Sequence, residues 1–146
     1  TELTKRLLRQ AIAGLPGGRG RPRILLTSVP EEQHALGLLM AETLFTLEGA
    51  ECIPLGTQMP LLEIARAASA HRADIVALSF SAAFPHRQIS GLLQQLRMVL
   101  PAEMALWAGG GGIQRIPPAP GIELLTSLEH SASAIQEWRQ RMPPLT

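Results

Sequence analysis

The sequence predicts an open, doubly wound α/β sheet, and three observations carry that expectation. Five short apolar runs alternate with helical patterns, the order of a parallel sheet with helices on both faces. Residues 74–80 form an almost continuous apolar run, the signature of a strand covered on both sides. Gly49, Gly56, Pro60 and four glycines at 109–112 punctuate the boundaries where turns are needed.

Leu3, Leu7, Leu8, Ala11, Ile12 and Leu15 recur at helical spacing, so residues 2–15 are expected as an amphipathic helix. Pro16-Gly17-Gly18-Arg19-Gly20-Arg21-Pro22 then breaks it with a flexible, basic connector. Residues 1–22 are thus a helix with a linker, and 23–146 the domain proper. Arg19, Arg21 and Arg23 are expected as a solvated face of that linker, or else a docking patch. The first strand is 23–29, and the next helix runs from about 35 to 47, stopping at Gly49. Residues 51–55 form the second strand, and Pro60 opens a helix that runs to about residue 71. After the third strand at 74–80 come a helix at 87–100 and a fourth strand at 104–108. Residues 114–120 carry three prolines, so an irregular connection is expected there rather than a helix. A fifth strand at 122–126 leads to a helix at 128–141, with Ser127 as its N-cap and Pro143-Pro144 beyond its end.

A chain of 146 residues with 46% hydrophobic content can bury a core of its own. Aromatics are 3% and tyrosine is absent, which argues against a stacking platform for single-stranded nucleic acid. A net charge of +1 argues against duplex binding by this domain, which would need a basic surface. The single cysteine, Cys52, excludes an intrachain disulfide and fits a reducing, cytoplasmic setting, where a buried structural thiol is expected. No apolar run reaches membrane-spanning length, and no signal peptide opens the chain. Thr1 stands where a methionine would start a whole protein, as expected of one domain of a longer chain.

In such a sheet, ligands bind beyond the carboxyl ends of the strands where the strand order reverses. For the flavodoxin-like order 2-1-3-4-5, the loops after strands one and three flank that point, with loop four close by. Those are the three unusual loops here. Loop one carries Glu32, His34 and Gly37; loop three carries Ser79, Ser81 and Phe84-Pro85; loop four is the glycine run. An acid two residues before a histidine can hydrogen-bond one imidazole nitrogen while the other binds a metal. Each piece also has a plainer reading. His34 can be a surface or capping residue, Glu32 can favour a helix N-terminus, and Ser79 can satisfy a strand end. The glycines can be a simple turn or free N–H groups for a phosphate, but they do not form G-x-G-x-x-G in the first strand–helix turn. His71, His86 and His130 show no metal spacing and are expected to be structural or exposed; Trp107 and Trp138 are expected in the core.

Taken together, these residues resemble the cobalamin-binding domains. That family's signature is Asp-x-His-x-x-Gly, then Ser-x-Leu at a strand end, then Gly-Gly. This chain reads Glu32-Gln33-His34-Ala35-Leu36-Gly37, Ser79-Phe80-Ser81 and Gly109-Gly110-Gly111-Gly112, with Gly49-Ala50-Glu51-Cys52-Ile53-Pro54-Leu55-Gly56 between. The resemblance covers about residues 23–140. Glutamate in place of aspartate looks most like the sensory domains of MerR-type transcriptional regulators, some of them light sensors using adenosylcobalamin.

The resemblance implies a cofactor bound base-off, with His34 as lower cobalt ligand and Glu32 orienting its imidazole. Gly37 would admit the dimethylbenzimidazole tail, Ser79 or Ser81 would hydrogen-bond the buried base, and Gly109 and Gly110 would line its channel. Ser81 stands where the signature has leucine. The family's helical cap and a DNA-reading region are both absent from this sequence, so they are expected elsewhere in the protein. The leading expectation is a sensory module, not an enzyme, whose ligand state controls oligomerisation or DNA binding of an attached domain. The alternatives are a corrinoid carrier for methyl transfer or a mutase, a haem-binding relative, or a cofactor-free interaction module.

Overall fold

The computed structural model describes residues 2–13 and 20–142. Five parallel strands form one sheet in the order β2-β1-β3-β4-β5, as the sequence predicts. The strands are β1 (Gly20–Thr27), β2 (Ala50–Pro54), β3 (Ile75–Ser79), β4 (Ala105–Gly109) and β5 (Ile122–Leu125). The helices are α1 (Glu2–Ala13), α2 (Leu36–Leu47), α3 (Leu61–Ala70), α4 (His86–Val99) and α5 (Leu128–Arg141). Between β4 and β5 there is only a 3-10 turn, Gly111–Ile113, in keeping with the prolines that follow. Ser127 caps α5 by accepting the His130 N–H at 3.0 Å.

Period-two alternation along the strands builds two cores, one on each face of the sheet. Leu25, Val76, Leu78, Leu106 and Ala108 face α3 and α4, where Ile64, Ala68, Ile89, Leu93 and Leu96 meet them. Ile24, Leu26, Ile75, Ala77 and Trp107 face α2 and α5, against Leu38, Phe45, Ala134, Ile135 and Trp138. Trp107 and Trp138 are both core residues, as expected. Phe45 and Trp107 pack edge to face with ring centroids 5.8 Å apart. Cys52 is half-buried in β2, and burial pushes its thiol up to about 11, so it stays protonated at neutral pH.

Two differences from the sequence reading lie at the start of the sheet. The first strand begins at Gly20, not residue 23, with a register shift between Gly20 and Arg23 around Pro22, which has no N–H to give the ladder. Arg21 and Arg23 are therefore not a solvated linker face. Arg21 grips Asp74 at 2.6 Å and lies over the Trp138 ring at 5.2 Å, while Arg23 pairs with Glu51 at 3.1 Å. Asp74 also accepts the Arg23 N–H at 2.8 Å, and Arg139 donates to the carbonyls of Arg21 and Glu48. The missed signal was an acid at the mouth of β3, placed to answer the arginines. Arg19, residues 14–18 and Pro143-Pro144 lie outside the described residues.

The α2–α5 core depends on a few large side chains, and that makes it testable. Phe45→Ala is expected to cost about 3–5 kcal/mol through lost burial and the cavity left under Trp107. Urea unfolding followed by circular dichroism measures the loss; a cost below about 1 kcal/mol would show that α2 does not hold this face.

Candidate functional site

The strand order reverses between β1 and β3, so the rim above their carboxyl ends is open. The turn after β1 is shaped by Pro30 and by Glu31 at φ 73°, with Glu32 N–H closing on Val29 O at 3.1 Å. Buried Ser28 steadies it, donating to Glu32 O at 2.6 Å and accepting the Gln58 N–H at 3.0 Å. The result turns Glu32 inward, where it is 1% exposed.

A carboxylate so placed needs donors, and Glu32 has four. They are the Ser81 N–H at 2.7 Å, the Ser81 hydroxyl at 3.0 Å, the His34 N–H at 3.1 Å and His34 Nδ1 at 3.0 Å. Burial alone would push the carboxyl up; the four hydrogen bonds outweigh it and hold Glu32 below the usual carboxylate range. An ionised carboxylate only accepts, so the His34 Nδ1 that contacts it must carry a proton. Ser81 Oγ lies 3.2 Å from the same Nδ1. The His34 side chain is 55% exposed, and among the described residues nothing hydrogen-bonds Nε2. The imidazole is fixed at one nitrogen and bare at the other.

Beside it, a cleft of about 320 Å³ runs between the sheet and the pair α2 and α5. Gly37, Ser79, Gly109 and Gly110 line its mouth, over a floor that includes Phe45 and Trp107. A Cβ on Gly37 would fall 2.6 Å from Ser79 Oγ, so glycine is what lets α2 approach that hydroxyl without displacing it. The start of α5 adds Ser131 to the wall, with Thr126 and the N-cap Ser127 just before it.

All seven residues singled out in the sequence therefore meet at one rim, in two groups. Glu32, His34 and Ser81 form a hydrogen-bonded cluster; Gly37, Ser79, Gly109 and Gly110 form a wall. The structure divides the two serines: Ser79 faces the cleft, whereas the Ser81 hydroxyl is taken by Glu32 and His34. Nor is Glu32 a dipole-favoured residue of a first helical turn, since α2 begins at Leu36. Of the glycine run, the Gly112 N–H is spent on Phe80 O at 2.8 Å and is not free for a ligand. Sequence reasoning missed Ser28, Phe45 and the α5 side of the cleft. Only the N-cap at Ser127 gave a hint of the last.

No family model matches the chain. It is 32% identical over 110 residues to the HTH-type transcriptional repressor CarH of Myxococcus xanthus, a match covering 75% of this chain and 36% of the repressor. Its fold is shared by a cobalamin-binding protein from Desulfitobacterium hafniense, with TM-score 0.61, 20% identity, and coverage of 81% of this chain and 59% of that one. It is also shared by the methanol:cobalamin methyltransferase complex MtaBC of Methanosarcina barkeri, with TM-score 0.71, 11% identity, and coverage of 92% and 52%. At those identities the structural likeness speaks for the fold alone. The motif order on this sheet, and the repressor match, carry the rest. The chain is a domain of the cobalamin-binding type. It spans about a third of the curated relative it matches.

For this cobalamin-binding-type domain, the buried carboxylate predicts a pH dependence. The folded value of Glu32 lies below its unfolded value, so its contribution to stability is complete above about pH 4.3 and is lost as pH falls through the folded value. Glu32→Gln removes the charge that four donors require and should cost about 2–3 kcal/mol at pH 7. Urea midpoints measured from pH 7 to pH 3 should fall less steeply in the variant; parallel acid limbs would refute the assignment.

Proposed function

We propose that this domain binds a cobalamin, taking cobalt through His34 Nε2 and the nucleotide tail in the adjoining cleft. The observation that carries the reading is the Glu32–His34 pair, with Nδ1 held and Nε2 bare, three residues before Gly37, which lines that cleft. The donor set fits the cofactor. Among the described residues no three His, Cys, Asp or Glu side chains gather to hold an ion, so His34 would offer a single donor. One donor suits a metal that brings its own equatorial ligands, as a corrin or a haem does. The cleft beside the histidine favours the corrinoid, whose lower tail needs such a channel.

In this reading Glu32 and Ser81 orient the imidazole and strengthen it as a donor. Gly37 leaves the Ser79 hydroxyl undisplaced, Ser79 presents it to the buried base, and Gly109 and Gly110 line the channel. When bound, the cofactor supplies a cobalt–carbon bond whose presence or absence differs between ligand states. Adenosylcobalamin is the form to test first, in dark and in light.

The likeness to a transcriptional repressor supports a sensory role. The ligand state would control oligomerisation or DNA binding of an attached domain, in a cytoplasmic setting, and this domain itself would not catalyse. No described helix is long and apolar enough to cross a membrane. A corrinoid carrier would use the same rim, and would be revealed by methyl transfer with a partner enzyme.

The test is retention of corrinoid after gel filtration, read as an absorbance spectrum. The wild-type domain mixed with adenosyl- or hydroxocobalamin should keep corrin bands of a histidine-ligated form. His34→Ala should lose that ligation signature and bind at least ~10-fold more weakly. Gly37→Leu, which crowds the Ser79 hydroxyl, should lose retention with His34 intact. A wild-type protein that elutes colourless, alone and when extended at its N-terminus, would overturn the reading.

A further inference from the structure

The four glycines after β4 are not equivalent. A Cβ on Gly109 or Gly111 would make ordinary contacts, 3.6 Å from Leu125 O and 3.5 Å from Ala82 Cβ. Gly110, at φ 98°, would drive a Cβ into the Phe80 carbonyl oxygen. Gly112 would place one 2.5 Å from Ser81 O and 3.1 Å from Phe80 Cβ. Two hydrogen bonds lace the turn to that same backbone: Phe80 N–H to Gly109 O at 2.9 Å, and Gly112 N–H to Phe80 O at 2.8 Å. Residue 81 is the one whose N–H and hydroxyl hold Glu32. One side of the turn therefore walls the cleft, and the other side seats Ser81.

We propose that Gly112, outside the Gly109–Gly110 pair of the sequence signature, is a positioning residue for His34. It sets the Phe80–Ser81 backbone so that Ser81 and Glu32 hold the imidazole with Nδ1 protonated and Nε2 bare. The inference deepens the cobalamin reading and rests on it for its purpose, though its geometry stands alone. To admit a methyl at residue 112, the Ser81 carbonyl must retreat by about 1 Å to reach ordinary contact. The methyl would also press on Phe80 O at 3.1 Å, the carbonyl of the same peptide that carries the Ser81 N–H, and so disturb that donor's 2.7 Å contact with Glu32 Oε2. Glu32 then loses donors from one side, and its hold on Nδ1 loosens. Gly111, whose Cβ would meet only ordinary contacts, makes no such demand.

The ring nitrogens of ¹⁵N-labelled histidine, observed by NMR at one near-neutral pH without cofactor, read this link directly. Wild type should show His34 with the proton on Nδ1. Gly112→Ala should shift it toward the mixture shown by exposed histidines such as His71 and His86, while Gly111→Ala stays as wild type. Ser81→Ala should reproduce the Gly112→Ala shift, and Ser81→Thr, which keeps a hydroxyl, should largely restore the wild-type form. With hydroxocobalamin added, Gly112→Ala should bind about 10–100-fold more weakly and lose the histidine-ligated spectrum. A wild-type tautomer in Ser81→Ala, or in a folded Gly112→Ala, overturns the inference; so does a Gly112→Ala chain that cannot fold, since the turn would then serve the sheet as a whole. If wild type takes up no corrinoid while the tautomer shifts appear, the cofactor reading fails and the positioning role stands. If corrinoid is retained and neither tautomer nor spectrum changes in Gly112→Ala, the positioning role fails alone.

Discussion

Everything at the rim depends on a carboxylate held out of water. Glu32 is ionised where solvent cannot reach it, so it organises whatever donors the neighbouring loops can bring. Two come from its own loop and two from Ser81 across the switch point, so the carboxylate ties the end of β1 to the end of β3. Leave either loop out and the remaining donors do not repay the desolvation. The same contacts that stabilise the charge fix the histidine tautomer, so stability and ligand readiness come from one arrangement.

That arrangement is possible because of the strand order. With β1 and β3 adjacent and their chains departing to opposite sides, no crossover covers the rim between them. The turn after β4 closes the third side, pressing two glycines against the Phe80–Ser81 backbone. Four small residues at 109–112 thus serve opposite ends: some leave room for the cleft, others let one main chain touch another. A glycine run looks uniform in sequence, yet its positions differ by what lies opposite each Cα.

This difference explains what could be read from the chain and what could not. Strand number, order and the convergence of loops one, three and four follow from apolar patterning and topology, which are carried by many residues at once. His34, Glu32 and Gly37 were legible because their spacing lies within one loop. The division between Ser79 and Ser81 was not, since period two would put both on one face, and only the end of β3 at Ser79 lets Ser81 turn to Glu32 instead. The seating of Arg21 against Asp74 and Trp138 joins positions more than 50 residues apart, and nothing local to Arg21 announces it. Ser28 acts through hydrogen bonds to distant backbone and Phe45 through burial, and neither residue carries a spacing that reveals what it supports.

The rim and the flank beside it differ in rigidity, and the difference follows from packing. β3 and β4 are buried on both faces, and the rim is cross-linked by charge-assisted hydrogen bonds. α2, by contrast, fully buries only Leu38 and Phe45, and α1, which packs chiefly on α2, fully buries none of its residues. Leu3, Leu7, Met40 and Leu47 remain exposed on those two helices. Local opening costs least where few apolar contacts must be broken, so motion on this side of the molecule is the least opposed. His34 immediately precedes α2 and the cleft lies beneath it. The rim thus has the best-packed part of the domain under it and the least-packed part beside it, so displacement of α2 and α1 would cost less than any disturbance of the sheet.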